Sequence, residues 1–256
     1  MSNSSPKGRM ASQDNIERIL KCLADIGPLR IVWSGGEPLL YTGLSKNLEL
    51  SKSLGNINIL ATNGTIKSEQ KVLKYVDRYQ ISCPSIDRHI YLRMRGDNNI
   101  ELVLKNTERI IRSGAKVTLF LVVCELNLLS IEKTIQKWVG IGCKRIIVSN
   151  LKYSGRAVNW GMKSLNYEEI AEIQDGLSSF IEGNRVFVTW PNIEKDRMRD
   201  AYLVIDETGK VISGASKENC FISDMLYKKK LEYGENLSKT SELFGKLKGC
   251  MHKVKP

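Results

Sequence analysis

The sequence predicts an α/β protein built on a parallel sheet. Amphipathic stretches alternate with short apolar runs from Ser12 to Trp190, the rhythm of repeated βα units. The run 117–123 is apolar on both faces, as a strand covered on both sides should be. With 256 residues and 42% hydrophobic content, the chain is long enough to bury one full-sized core.

A helix opens at Ser12, whose hydroxyl can cap free amides. It carries Ile16, Ile19, Leu20 and Leu23 at helical spacing and stops at Gly27 and Pro28. Strand 29–33 follows. Helix 44–54 ends at Gly55, and strand 57–61 leads into Thr62, Asn63 and Gly64. Helix 68–76 precedes strand 80–82, a short helical segment after Asp87 reaches Arg95 and Gly96, and the periodic stretch 100–111 is closed by Gly114. Beyond strand 117–123 come helix 131–139, strand 145–149, a loop over 152–166, helix 167–181 and strand 185–190. Segments 202–205 and 210–213 flank Glu207, Thr208 and Gly209 as a hairpin, and a basic tail rich in Ser and Lys follows. The expected organisation is a polar segment 1–11, a core 12–190, and a C-terminal hairpin and tail 191–256.

Composition narrows the function. Residues 1–9 lack the apolar stretch of a signal peptide, and no later run approaches the roughly 20 apolar residues of a spanning helix. A soluble, cytoplasmic protein with no membrane partner is expected. The formal charge of +11 permits nucleic acid, anionic lipid or an acidic peptide as partner. The lysines are spread along the chain, with only Lys228, Lys229 and Lys230 clustered. That distribution favours a solvated basic surface and argues against nucleic acid.

Cys22, Cys83, Cys124, Cys143, Cys220 and Cys250 are too far apart for one loop to wrap a metal. Most read as small buried apolar residues, Cys83 among them. Cys124, at the end of a strand, is the candidate reactive thiol. His89 and His252 are the only histidines, and neither sits at a strand's carboxyl end, which argues against histidine acid–base chemistry.

In a sheet of this order the loops at the carboxyl ends of the strands form the active face. Here these are 34–38, 62–64, 82–85, 124–125 and 149–156. Gly35, Gly36, Glu37 and Pro38 directly follow an apolar strand. Two glycines allow the backbone close to a ligand, and the carboxylate can accept from an ammonium group. Taken alone, the same four residues also read as a strand-to-helix turn.

Residues 31–40, Ile-Val-Trp-Ser-Gly-Gly-Glu-Pro-Leu-Leu, resemble the GGEP-type segment after the second strand of radical S-adenosylmethionine (radical SAM) enzymes. In register with it, Leu60 to Gly64 resembles the family's third-strand ending, and Ile81 to Gly96 its fourth strand and following loop. Ser149 to Ala157 resembles the sixth-strand exit. The likeness covers about 12–157.

The resemblance implies a partial (β/α)6 parallel barrel missing its first strand. It assigns Gly35, Gly36 and Glu37 to the methionine end of S-adenosylmethionine, and Thr62, Asn63, Ser82 and Ser85 to its ribose or carboxylate. For these last four, capping or turn chemistry is the alternative reading. Pro84 stands where many relatives have Asp, a departure on the ribose side.

The family also holds a [4Fe–4S] cluster through Cys-x3-Cys-x2-Cys, and no such motif occurs in the 256 residues, so no metal ligand is assigned. The expectation is therefore an N-terminally truncated form of a radical SAM enzyme. Its complete form would cleave S-adenosylmethionine reductively to a 5′-deoxyadenosyl radical and modify a peptide or small metabolite, served by a reductant protein. The alternative is a cluster-free module that binds S-adenosylmethionine, a peptide or nucleic acid.

Overall fold

The computed structural model describes residues 12–24, 30–153, 161–191, 203–205 and 211–213. In chain order the elements are α1 (Gln13–Ala24), β1 (Arg30–Trp33), α2 (Leu44–Ser53), β2 (Ile57–Thr62), α3 (Gln70–Leu73), β3 (Arg78–Ser82), α4 (Arg88–Arg95) and α5 (Ile100–Arg112). They continue with β4 (Lys116–Val123), α6 (Ile131–Gly140), β5 (Arg145–Asn150), α7 (Tyr167–Gly183), β6 (Phe187–Thr189), β7 (Leu203–Ile205) and β8 (Val211–Ser213). The basic tail and the segment 1–11 lie outside the described residues.

Two compact units are distinguished. One contains Ile31–Ser45 and Asn58–Pro191, and with them the main sheet. The other contains α1 and Lys46–Ile57, where the Gln13 side-chain amide donates to Asn47 Oδ1. Strands β7 and β8 pair antiparallel, Leu203 opposite Ser213, forming the hairpin expected there.

The main sheet has six strands in the order β1-β2-β3-β4-β5-β6, and the pairings from β2 to β6 are all parallel. It does not close on itself: β1 and β6 are its edges. This open parallel sheet agrees with the partial barrel the sequence implies. The strand period of two sorts residues onto two faces. Thr62, Ile81, Leu119 and Ile146 lie side by side across four strands, all buried, whereas Ala61 and Gln80 on the opposite face are half-buried. Val103 and Ile110 of α5 and Ile135 and Trp138 of α6 are buried in the same core.

Local chemistry sets the helix bounds. The Asp87 carboxylate accepts from the amides of His89 and Ile90 and starts α4, and Gly96 ends it in the left-handed conformation. Asn166 and Glu169 form a reciprocal capping box at the start of α7. The helix expected over 68–76 contracts to α3. The Ser68 hydroxyl bonds the Tyr79 hydroxyl at 2.6 Å instead of capping, and Glu69 provides no side-chain cap. Strand β6 is shorter than 185–190, and Arg185 is excluded from it by a positive φ of 52°, which no strand residue adopts.

Asn58, fully buried at the start of β2, anchors this end of the sheet. Its Oδ1 accepts from the Trp33 indole at 3.0 Å, its Nδ2 donates to the Tyr75 carbonyl at 2.9 Å, and its amide donates to Asp77 Oδ2 at 2.8 Å. Replacing Asn58 with Leu removes the side-chain bonds to the Trp33 indole and the Tyr75 carbonyl. The expected loss is about 1–3 kcal/mol, read as a lower urea midpoint at unchanged slope. An unaltered midpoint would show that these bonds do not hold β1 to β2.

Candidate functional site

The residues singled out in the sequence converge on the carboxyl ends of β1, β2 and β3. Glu37 begins the 3₁₀ turn Pro38–Leu40 and carries the main tie. Its Oε1 accepts from the Leu39 amide at 3.1 Å and the Thr62 hydroxyl at 2.8 Å, while Oε2 accepts from the Asn63 amide at 2.8 Å. The β1 loop and the β2 exit are thus held by one carboxylate. An ionised carboxylate offers about four acceptor positions, so one remains on Oε2 for an external donor. Beside it, Ser34, Gly35 and Gly36 are exposed. Gly35 has a φ of +146°, and a Cβ placed there would meet nothing within 4 Å, so the bare backbone borders open space.

Thr62 and Asn63 act mainly within this frame. Thr62 also accepts from the Gly64 amide at 3.1 Å, and Asn63 Oδ1 accepts from both the amide and the hydroxyl of Thr65. Gly64, read from the sequence as the end of the 62–64 loop but given no role there, holds a φ of +77°. A Cβ there would lie 2.9 Å from Ile81 Cγ2 and 3.0 Å from Val103 Cγ1. Its place after Thr-Asn was the available signal.

Ser82 ends β3 half-buried, and its carbonyl accepts from Arg95 Nη2. Arg95 was visible in the sequence only as a landmark. In the fold its half-buried guanidinium stands at the β3 exit, and its buried Nε has no partner among the described residues.

Two expectations change. Ser85 is fully buried, donates to Ser130 Oγ at 2.9 Å and accepts from the Asp87 amide at 3.0 Å. Its hydroxyl is spent on turn chemistry, so Ser85 leaves the set of cofactor contacts. Cys124 is buried in an apolar cluster with Met94 and Leu151, and burial raises its thiol pKa, so it is a packing residue and not a reactive thiol. Cys83 packs as expected, its thiol donating to the Ser85 carbonyl. Burial pushes its pKa up to about 11 despite the Arg95 charge nearby.

Asn127 braces the next two exits. It donates to the carbonyls of Pro84 and Val122 and accepts from the Cys124 amide. Asn150 does the same after β5, bonding Leu151 and both backbone groups of Leu165. Ser154 to Ala157 lie outside the described residues.

These groups fit the methionine end of S-adenosylmethionine, which needs an acceptor for its ammonium and a backbone free of side chains. They do not fit an iron–sulfur cluster. Among the described residues no group of His, Cys, Asp or Glu could hold a metal, and Cys83, Cys124 and Cys143 are separate buried thiols.

An open parallel sheet with a glycine-bordered carboxylate at its carboxyl edge defines an α/β protein whose candidate site lies at the strand ends. The chain belongs to the radical SAM superfamily, whose family model matches residues 2–137. A probable GTP 3′,8-cyclase of Methanococcus maripaludis strain C6 is 33% identical over 54% of this chain and 47% of its own length. A PqqA peptide cyclase of Bradyrhizobium diazoefficiens is 24% identical over 61% of this chain and 42% of its own. The chain thus spans about half the length of the curated relatives it matches. Streptococcus suis SuiB bound to S-adenosylmethionine shares the fold with a TM-score of 0.65 at 15% identity, over 84% of this chain and 58% of SuiB.

Two outcomes test this geometry. Glu37→Gln puts an amide N–H against a backbone N–H of Leu39 or Asn63, so hydrogen exchange at Asn63 and Gly64 should quicken by about tenfold or more. Unchanged protection would mean that the carboxylate does not bear the loop. Because burial raises their thiol pKa values, Cys83, Cys124 and Cys143 hold little thiolate at about pH 8. Peptide mapping after iodoacetamide treatment should find all three unlabelled until the chain is unfolded, and native labelling of Cys124 would restore it as a reactive site.

Proposed function

We propose that this chain supplies the S-adenosylmethionine-binding part of a radical SAM enzyme that modifies a peptide or small molecule. The observation that carries the reading is the Glu37 carboxylate, with three protein donors and one acceptor position left beside the exposed Gly35 and Gly36. In this reading the spare Oε2 position takes the cofactor's ammonium, and the glycine backbone bonds its methionine end. Thr62 and Asn63 hold Glu37 in place. Ser82 and Arg95 face the remaining polar atoms, Arg95 offering positive charge to a carboxylate. When bound and reduced at a cluster, the cofactor supplies a 5′-deoxyadenosyl radical, and the protein's part is to bind, orient and exclude water. No Cys-x3-Cys-x2-Cys occurs in these 256 residues, so no cluster ligand is assigned here. Support for a peptide or small-molecule substrate comes from the names of relatives, a PqqA peptide cyclase and a GTP 3′,8-cyclase.

The deciding experiment compares this chain with a version extended upstream by its genomic codons, both reconstituted anaerobically with iron and sulfide. Calorimetric titration with S-adenosylmethionine and the visible spectrum are read for each. Saturable binding by both forms, weakened about tenfold or more by Gly35→Val, with cluster absorption in the extended form alone, is the expected result. Binding without any cluster in either form would convert the reading to a cluster-free binding module. No binding in either form ends it.

A further inference from the structure

Beyond the β2 exit, α5 and the loop after β2 line a groove of about 460 Å3. Its walls carry Thr65, Lys67, Leu102, Lys105, Arg109 and Arg112. Arg112 pairs with Glu108 at 3.3 Å, the one acidic residue in the lining. Among the described residues no carboxylate pairs with Lys67, Lys105 or Arg109. Leu102 stands 42% exposed beside them. Cations left without counter-ions around an exposed leucine are poorly explained by folding alone, since α5 already buries Ile100, Val103, Thr107 and Ile110 on its other side.

We propose that this groove docks an acidic segment of a partner polypeptide. Its carboxylates would meet Lys67, Lys105 and Arg109, and an apolar side chain would cover Leu102. Length selects this occupant over a small anion. Leu102, Lys105, Arg109 and Arg112 recur every three or four residues along one helix face, a line of about 15 Å at 1.5 Å per residue, several times the width of one phosphate. Chemistry selects it over nucleic acid, because the lining contains no Phe, Tyr or Trp on which a base could stack. Charges at such a rim steer association and set its salt dependence more than its ultimate strength. The groove adjoins the site described above: Asn106, in its wall, donates to the Gly64 carbonyl at 2.9 Å, and Thr65 bonds Asn63. Docking and cofactor binding are separate claims, and the first stands whether or not S-adenosylmethionine binds.

The test uses the full chain and a fluorescein-labelled peptide, acetyl-Glu-Leu-Glu-Glu-Leu-Asp-Glu-Leu-Glu-amide, followed by fluorescence anisotropy. Lys67→Glu with Lys105→Glu reverses two exposed groove charges, and Lys133→Glu with Lys137→Glu makes the same net change on α6. Saturable binding weakened about tenfold by the groove pair and less than about twofold by the α6 pair supports the proposal. Equal weakening by both pairs, or no saturable binding to the unaltered chain, overturns it. So does tighter binding of a single-stranded oligonucleotide that depends on Lys67 and Lys105.

Discussion

The carboxyl edge of the sheet depends on the contact between Glu37 and the β2 exit. Parallel strands end together there, and once each strand stops, its backbone loses the partner that satisfied it. Glu37 answers that loss for two strands at once, accepting one amide on its own side and a hydroxyl and an amide from Thr62 and Asn63. Asn127 answers it between the β3 and β4 exits, and Asn150 after β5. Each tie is a single side chain reaching backbone that is distant in sequence. The loops are therefore fixed relative to the strands, not merely to themselves, which is the rigidity a binding edge requires.

Most of the fold could be read because it follows from period and punctuation. Alternating apolar runs fixed the six strands in order, and Asp87, Gly96 and Asn166 mark helix ends by chemistry that acts within three or four residues. The reading weakened where a side chain chose a distant partner over a local one. Ser68 looked like the start of a full helix, yet its hydroxyl pairs with Tyr79, eleven residues on. Ser85 read as a cofactor contact or a turn residue at a strand end, and Ser130, forty-five residues away, takes its hydroxyl. Cys124 followed the same course: the exit of β4 is indeed at the carboxyl edge of the sheet, but Met94 from α4 and Leu151 after β5 bury the thiol. No local pattern records which of two strand-end residues will face outward.

The cysteines show how far the chain's own residues reach. Iron–sulfur clusters need thiolates, and thiolates need solvent, a cation or a metal to offset the cost of charge. Cys83 has a cation close by in Arg95, and burial still outweighs it and raises the thiol pKa to about 11. Cys143 lies against carbonyls of Val117 and Arg145, partners for a protonated thiol. These sites stabilise the neutral form. They belong to the core of a domain whose redox chemistry, in this family, is carried by cofactors.

Gly35 and Gly64 separate the two uses of a bare backbone at one edge. Both have positive φ, so substitution strains either one. Around Gly64 the space is filled: Ile81 and Val103 stand within 3.0 Å of where a Cβ would sit, so the glycine serves the packing of α5 on the sheet. Around Gly35 there is nothing within 4 Å. That open side of the backbone lies two residues along the chain from the remaining acceptor position of Glu37. Gly64 answers both to packing and to its positive φ, whereas Gly35 answers to its φ alone and leaves the space beside it open.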